Sequence, residues 1–125
     1  MRDQPPWMPP GWPEQVRPPG SDAWEQSAAA FLFDCCPPDY RGYPVLRRHP
    51  VVLARFAIAY VEGHLEANGC GLPVLRTALA AEVPPEAVSA AVDAWSSEAA
   101  KLVRLRRELG LVADALRGVR FRPRL

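Results

Sequence analysis

Beyond residue 20, apolar side chains recur every three or four residues, and the elements this spacing predicts are helices. The longest track runs from Pro85 toward the C-terminus. It comprises Val88, Val92, Trp95, Ala99, Leu102, Leu105, Leu109, Val112 and Leu116, with one three-residue skip at Leu102–Leu105. The phase holds across Gly110, which favours one long helix, kinked or straight there, with a break at Gly110 as the alternative. About 30 residues at 1.5 Å each extend roughly 45 Å. A compact body of about 105 residues is some 30–35 Å across. One end of this helix is therefore expected to project, or to pack on something else.

The segment VVLARFAIAYVEGHLEANG is the most apolar stretch of the chain. Leu53, Phe56, Ala57, Tyr60, Val61, His64 and Leu65 fall on one wide stripe, predicting a central core helix. Pro50 suits its first turn, and Asn68-Gly69 predicts its end. A separate short helix is expected from Val74 to about Glu82, followed by a break at Val83-Pro84-Pro85. Upstream, AWEQSAAAFLFDCC predicts a helix with Ser21 or Asp22 as N-cap and an end before Pro37-Pro38. A loop or single turn follows, then a short helical piece at Val45–Arg48.

The first 20 residues differ in kind. They hold seven prolines and two tryptophans, and proline's fixed φ favours an extended or loop conformation there. The expected architecture is an all-α, single small helical domain of four to five helices. It has a long C-terminal helix and an extended Pro/Trp-rich N-terminal arm. The arm covers residues 1–20, the helical domain 21–117 and a basic tail 118–125. The expected core is Phe31, Leu32, Leu53, Phe56, Tyr60, Leu79, Val92, Trp95, Leu102 and Leu109.

Charge adds a segmental pattern to a net charge of +1. Residues 61–100 set Arg76 against six acids, whereas residues 101–125 set eight bases against Glu108 and Asp114. Residues 39–60 carry four Arg against Asp39. The preferred reading pairs acidic and basic faces within the fold; the other has a basic end meeting an anionic partner. Fourteen of the cations are Arg and one is Lys, which fits high-GC codon usage in a bacterium. No apolar run reaches the length of a membrane span, and the N-terminus has no signal-like apolar run, so a cytoplasmic location without membrane association is expected. The odd cysteine count predicts reduced thiols at Cys35, Cys36 and Cys70.

Catalytic and metal patterns are weak. Cys35, Cys36, His49, His64 and Cys70 suit zinc by type, but no pair has ligand-motif spacing, and no metal or cofactor is expected. Glu62 and Glu66 share a helix face with His64 pointing away, so EGHLE does not converge on one site. No nucleophile elbow, P-loop or dinucleotide fingerprint occurs, and no enzyme is expected.

The stretch VLRTALAAEVPPEAVSAAVDAW resembles, in outline, a helix-turn-helix of bacterial regulators. Its would-be reading face carries Glu86, Ser89 and Asp93 rather than base-reading side chains. The sequence therefore points first to a non-enzymatic protein–protein interaction module, an adaptor or regulatory subunit. Its partner is another protein or a second copy of itself. The contact residues are Trp7 and Trp12 in the arm, and Arg104 and Arg107 on the exposed part of the long helix. The arm is expected either to fold back onto the body or to insert into a partner. The alternative is a small nucleic-acid-associated regulator using Arg47, Arg48, Arg117, Arg120, Arg122 and Arg124.

Overall fold

The computed structural model describes residues 7–118 and is helical, with no strand among them. Four α-helices are present: α1 (Trp24–Asp34), α2 (Pro44–Arg48), α3 (Pro50–Leu79) and α4 (Pro85–Leu116). A 3-10 turn, Pro38–Gly42, lies between α1 and α2. The all-α expectation and the single long C-terminal helix both hold. Gly110 lies inside α4, which at 32 residues is about 48 Å long.

The helix break expected at Asn68-Gly69 does not occur. α3 continues through Gly69, Gly71 and Pro73 to Leu79, absorbing the helix expected to start at Val74. Proline has no N–H to donate to the carbonyl one turn earlier, so local preference favours a stop. Packing against α4 overrides that preference. Asn68 is buried and exchanges hydrogen bonds with Trp95 across the helix pair. Glu62 opposite Arg106 and Asn68 opposite Trp95 show that α3 and α4 run antiparallel.

The hydrophobic core sits at one end of this pair. It joins Phe31 and Leu32 of α1, Leu46 of α2, Leu53, Ala54, Ala57 and Val61 of α3, and Leu102, Leu109 and Val112 of α4. Two expected core residues, Phe56 and Tyr60, are instead 42% and 41% exposed. The phase of α3 is set by Ala54 and Ala57, whose small side chains admit close neighbours, and this turns both rings to the edge. His64, expected on the buried stripe, is exposed too. Leu79, Val92 and Trp95 are half-buried.

The described part of the arm is not extended. Three successive turns are closed by Trp12 N to Pro9 O (3.1 Å), Val16 N to Pro13 O (3.2 Å) and Ser21 N to Pro18 O (3.0 Å). Gly11 and Gly20 supply left-handed conformations in the first and third of these turns. Pro13 and Val16 are buried as deeply as core residues of the helices. The backbone N–H of Arg17 donates to Ser27 Oγ at 2.9 Å, tying the arm to α1. Neither Ser21 nor Asp22 caps α1. The capping position is Ala23, in a left-handed conformation with no side-chain cap, while the Ser21 hydroxyl donates to Pro18 O.

Candidate interaction surface

Between Glu62 and Lys101 only Asn68 and Val88 are buried. These residues form the outer part of the α3–α4 hairpin, which stands beyond the core with no third helix against it. A two-helix ribbon cannot enclose its own apolar seam. Leu72, Leu75, Leu79, Val83, Val92 and Trp95 remain half-buried, and Val74 is 59% exposed.

This ribbon is nevertheless held firmly in register. Trp95 Nε1 donates to Asn68 O at 2.7 Å, and Asn68 Nδ2 donates to Trp95 O at 3.2 Å. Beneath the indole lies Gly71, where a Cβ would sit 2.7 Å from Trp95 Cζ2. Glycine is required at 71 by the approach of the ring. Asn68-Gly69 has the composition of a helix stop, and only the facing Trp95 reveals its different use.

The hairpin is also acidic. Glu98 approaches Lys101 at 4.0 Å, but Glu66, Glu82, Glu86 and Asp93 have no ion pair among the described residues. Among the described residues the acidic and basic blocks meet at two pairs, Glu98–Lys101 where they adjoin in α4 and Arg106 Nε to Glu62 Oε2 at 2.8 Å across the helices, and are otherwise separated along the hairpin. The helix-turn-helix-like stretch is the closed end of this antiparallel hairpin.

The expected contact residues are scattered. Trp7 is 53% exposed. Trp12 turns inward: its ring centroid lies 6.4 Å from that of Trp24, and its Nε1 donates to Val16 O at 2.9 Å. Arg104 is exposed on α4, and Arg107 lies beneath the arm, its Nε 3.9 Å from the Cβ position of Gly11. Arg47 donates to the main-chain oxygen of Arg41, Arg48 is exposed, and Arg117 pairs with Asp114 at 2.6 Å. Arg120, Arg122 and Arg124 lie outside the described residues.

A second surface escaped the sequence reading. Tyr40, in the 3-10 turn, is the hub of an aromatic ridge. Edge-to-face contacts join it to Tyr43, Phe56 and Tyr60 at centroid separations of 6.2, 6.0 and 6.4 Å. Tyr60 in turn meets His64 at 6.2 Å. The available signal was that α3 is apolar on two sides, with Phe56, Tyr60, Gly63, Ala67, Cys70 and Val74 forming an outer track of uncharged residues.

On the remaining side, α3 and α4 bound an open groove of about 530 Å³ with Val51, Val52 and Ile58 on its apolar lining. Arg55, Arg106 and Arg117 reach it, but Glu62 and Asp114 occupy the latter two.

The three cysteines are free thiols in different settings. Burial pushes Cys35 up to about 12, reinforced by Cys36, Asp34 and Glu108. Burial also raises Cys36, to about 11, against the lowering effect of Arg41. Both are thereby poor nucleophiles near neutrality. Cys70 is exposed on α3. Among the described residues no three His, Cys, Asp or Glu side chains gather as a metal site, and no helix is long and apolar enough to cross a membrane.

Comparison of the chain with protein-family models, curated proteins and solved structures gives no match.

Proposed function

We propose that this protein is a non-enzymatic interaction module that presents the outer α3–α4 hairpin to a protein partner. It acts as an adaptor or regulatory subunit in a bacterial cytoplasm. The observation that carries this reading is the 40-residue span from Glu62 to Lys101 with only two buried residues, Asn68 and Val88. An apolar seam left half-open on a rigid support is what a docking helix or strand needs. The register lock at Asn68, Gly71 and Trp95 supports it, because a pre-ordered surface loses little conformational entropy on binding.

The hairpin's charge defines the partner's chemistry. Five acids against Arg76, between Glu66 and Glu98, favour an apolar contact flanked by Lys or Arg. The arm is a structural brace in this reading, with Trp7 at its exposed edge. Arg104 borders the hairpin surface on the α4 side.

The test is capture from nuclease-treated native lysate by the full chain and by its Val74→Glu variant. Val74 is exposed, so the substitution leaves the fold intact. A protein retained by the native chain and lost with the variant supports the reading. The same proteins retained by both would overturn the hairpin as the contact surface.

A further inference from the structure

We infer that the aromatic ridge on the core end of the molecule is a binding site for single-stranded nucleic acid. The ridge is built on Tyr40, Tyr43, Phe56 and Tyr60, all before Glu62, and reaches the start of the outer hairpin only at His64, so this inference rests on other residues than the proposed protein contact.

The first observation is that three exposed rings gather on one surface around Tyr40. Phe31 is 5% exposed, whereas Tyr43, Phe56 and Tyr60 are 53%, 42% and 41% exposed. They are not loosely placed. Tyr40 meets all three by edge-to-face contact, an arrangement that fixes ring orientation while each of the three rings stays at least 41% exposed. Phe56, Tyr60 and His64 follow one another at four-residue steps, about 6 Å apart along α3. A row of fixed rings can receive successive unpaired bases, and every base has a face to stack.

The second observation is charge on the same elements. Between Cys35 and Val61 the only carboxylate is Asp39, against Arg41, Arg47 and Arg48 on the 3-10 turn and α2, and Arg55, which faces the α3–α4 groove instead. Arg41 and Arg47 are joined by the hydrogen bond from Arg47 Nη1 to Arg41 O, with Tyr43 between them in sequence. Arg41 is oriented by Asp34 at 2.8 Å and lies over the Phe33 ring at 5.5 Å. Arg48 makes no ion pair among the described residues, and both it and His49 are exposed at the end of α2. Arginines beside stacking rings match a phosphate backbone beside its bases. A base pair would hide the faces that the ridge addresses, so the single strand is the form selected.

The experiment is fluorescence anisotropy of the full chain with labelled oligothymidylate and oligouridylate of about 20 nucleotides, more than one expected site length. Both strands are expected to bind. A preference for oligouridylate would identify RNA as the form favoured, and a preference for oligothymidylate DNA. The logarithm of affinity should fall with the logarithm of salt with a slope near −2, from about three phosphate contacts. Phe56→Leu and Tyr60→Leu keep apolar contact with Tyr40 but remove the flat face. Each should weaken binding about tenfold, with an unchanged thermal transition. Arg48→Gln should weaken both strands alike and reduce the slope by about 0.7, while Arg17→Gln on the arm leaves binding unchanged.

The inference is overturned if neither strand binds, or if a duplex of equal length binds more tightly. It is equally overturned if both leucine variants bind like the native chain while neutralising Arg120, Arg122 and Arg124 abolishes binding. Ring-dependent binding of a proline-rich peptide, with no binding of either strand, would reassign the ridge to peptide recognition.

Discussion

Asn68 and Trp95 are each other's hydrogen-bond partner twice over. The Trp95 indole donates to the Asn68 main-chain oxygen at 2.7 Å, and the Asn68 side-chain amide donates to the Trp95 main-chain oxygen at 3.2 Å. Asn68 is the buried polar residue of α3, and this exchange satisfies it. Trp95→Phe removes the indole donor while keeping an aromatic ring. It should lower stability by about 1 kcal/mol, measured by urea unfolding.

The glycines of α3 should respond in opposite directions. Alanine is a better helix former than glycine by about 1 kcal/mol. At Gly63 and Gly69 a Cβ would meet nothing within 4 Å, so Gly63→Ala and Gly69→Ala should each stabilise by about 0.5–1 kcal/mol. At Gly71 the new Cβ would press on Trp95 at 2.7 Å, and the hydrogen-bonded indole cannot simply swing away. Gly71→Ala should therefore destabilise by about 1–3 kcal/mol despite the propensity gain. Thermal melts of the three variants read the contrast directly.

These helix interiors also mark where sequence reasoning succeeds and fails. The apolar track from Val88 to Leu116 is legible because it repeats for eight intervals, enough to carry its phase across Gly110. The stop that Asn68-Gly69 predicts is absent because local propensity is weaker than a long-range contact, and Trp95 is 27 residues away. Periodicity places Phe56 and Tyr60 in the core because size and apolarity dominate it. The actual phase follows the small residues Ala54 and Ala57 that admit close packing. The segregation of charge was visible in the sequence. That the blocks stay apart, with Glu62–Arg106 as their junction across the helices, required the fold.

The arm should behave as part of the folded body. Pro13 and Val16 are buried, Trp12 packs on Trp24, and Ser27 accepts the Arg17 N–H. Val16→Ala should cost about 1–2 kcal/mol. A chain beginning at Ser21 should lose at least about 3 kcal/mol, since it exposes the surfaces that Pro13, Val16 and Trp12 cover. Differential scanning calorimetry of both variants measures this. A truncated chain melting like the full one would detach the arm from the core.

The buried thiols predict an alkaline limit. Cys35 is raised from 9.0 to about 12 and Cys36 from 9.0 to about 11. As pH climbs past 9, the unfolded chain releases these protons while the folded chain keeps them. Stability should thus be intact below about pH 9 and decline from there through about pH 12. Cys35→Ala should make that decline shallower, as measured by urea unfolding between about pH 8 and pH 10.5. In the native protein near pH 8, alkylation should modify Cys70 rapidly and leave Cys35 and Cys36 until denaturant is added.

The most direct test of the hairpin as the docking surface is site-specific photo-crosslinking in cells that express the full chain. A photoreactive side chain would replace Val74 on the outer hairpin, or Gln15 on the arm. A discrete protein adduct is expected from position 74 and none from position 15. Adducts from position 15 with none from position 74 would contradict that expectation, and would move the contact from the hairpin to the arm.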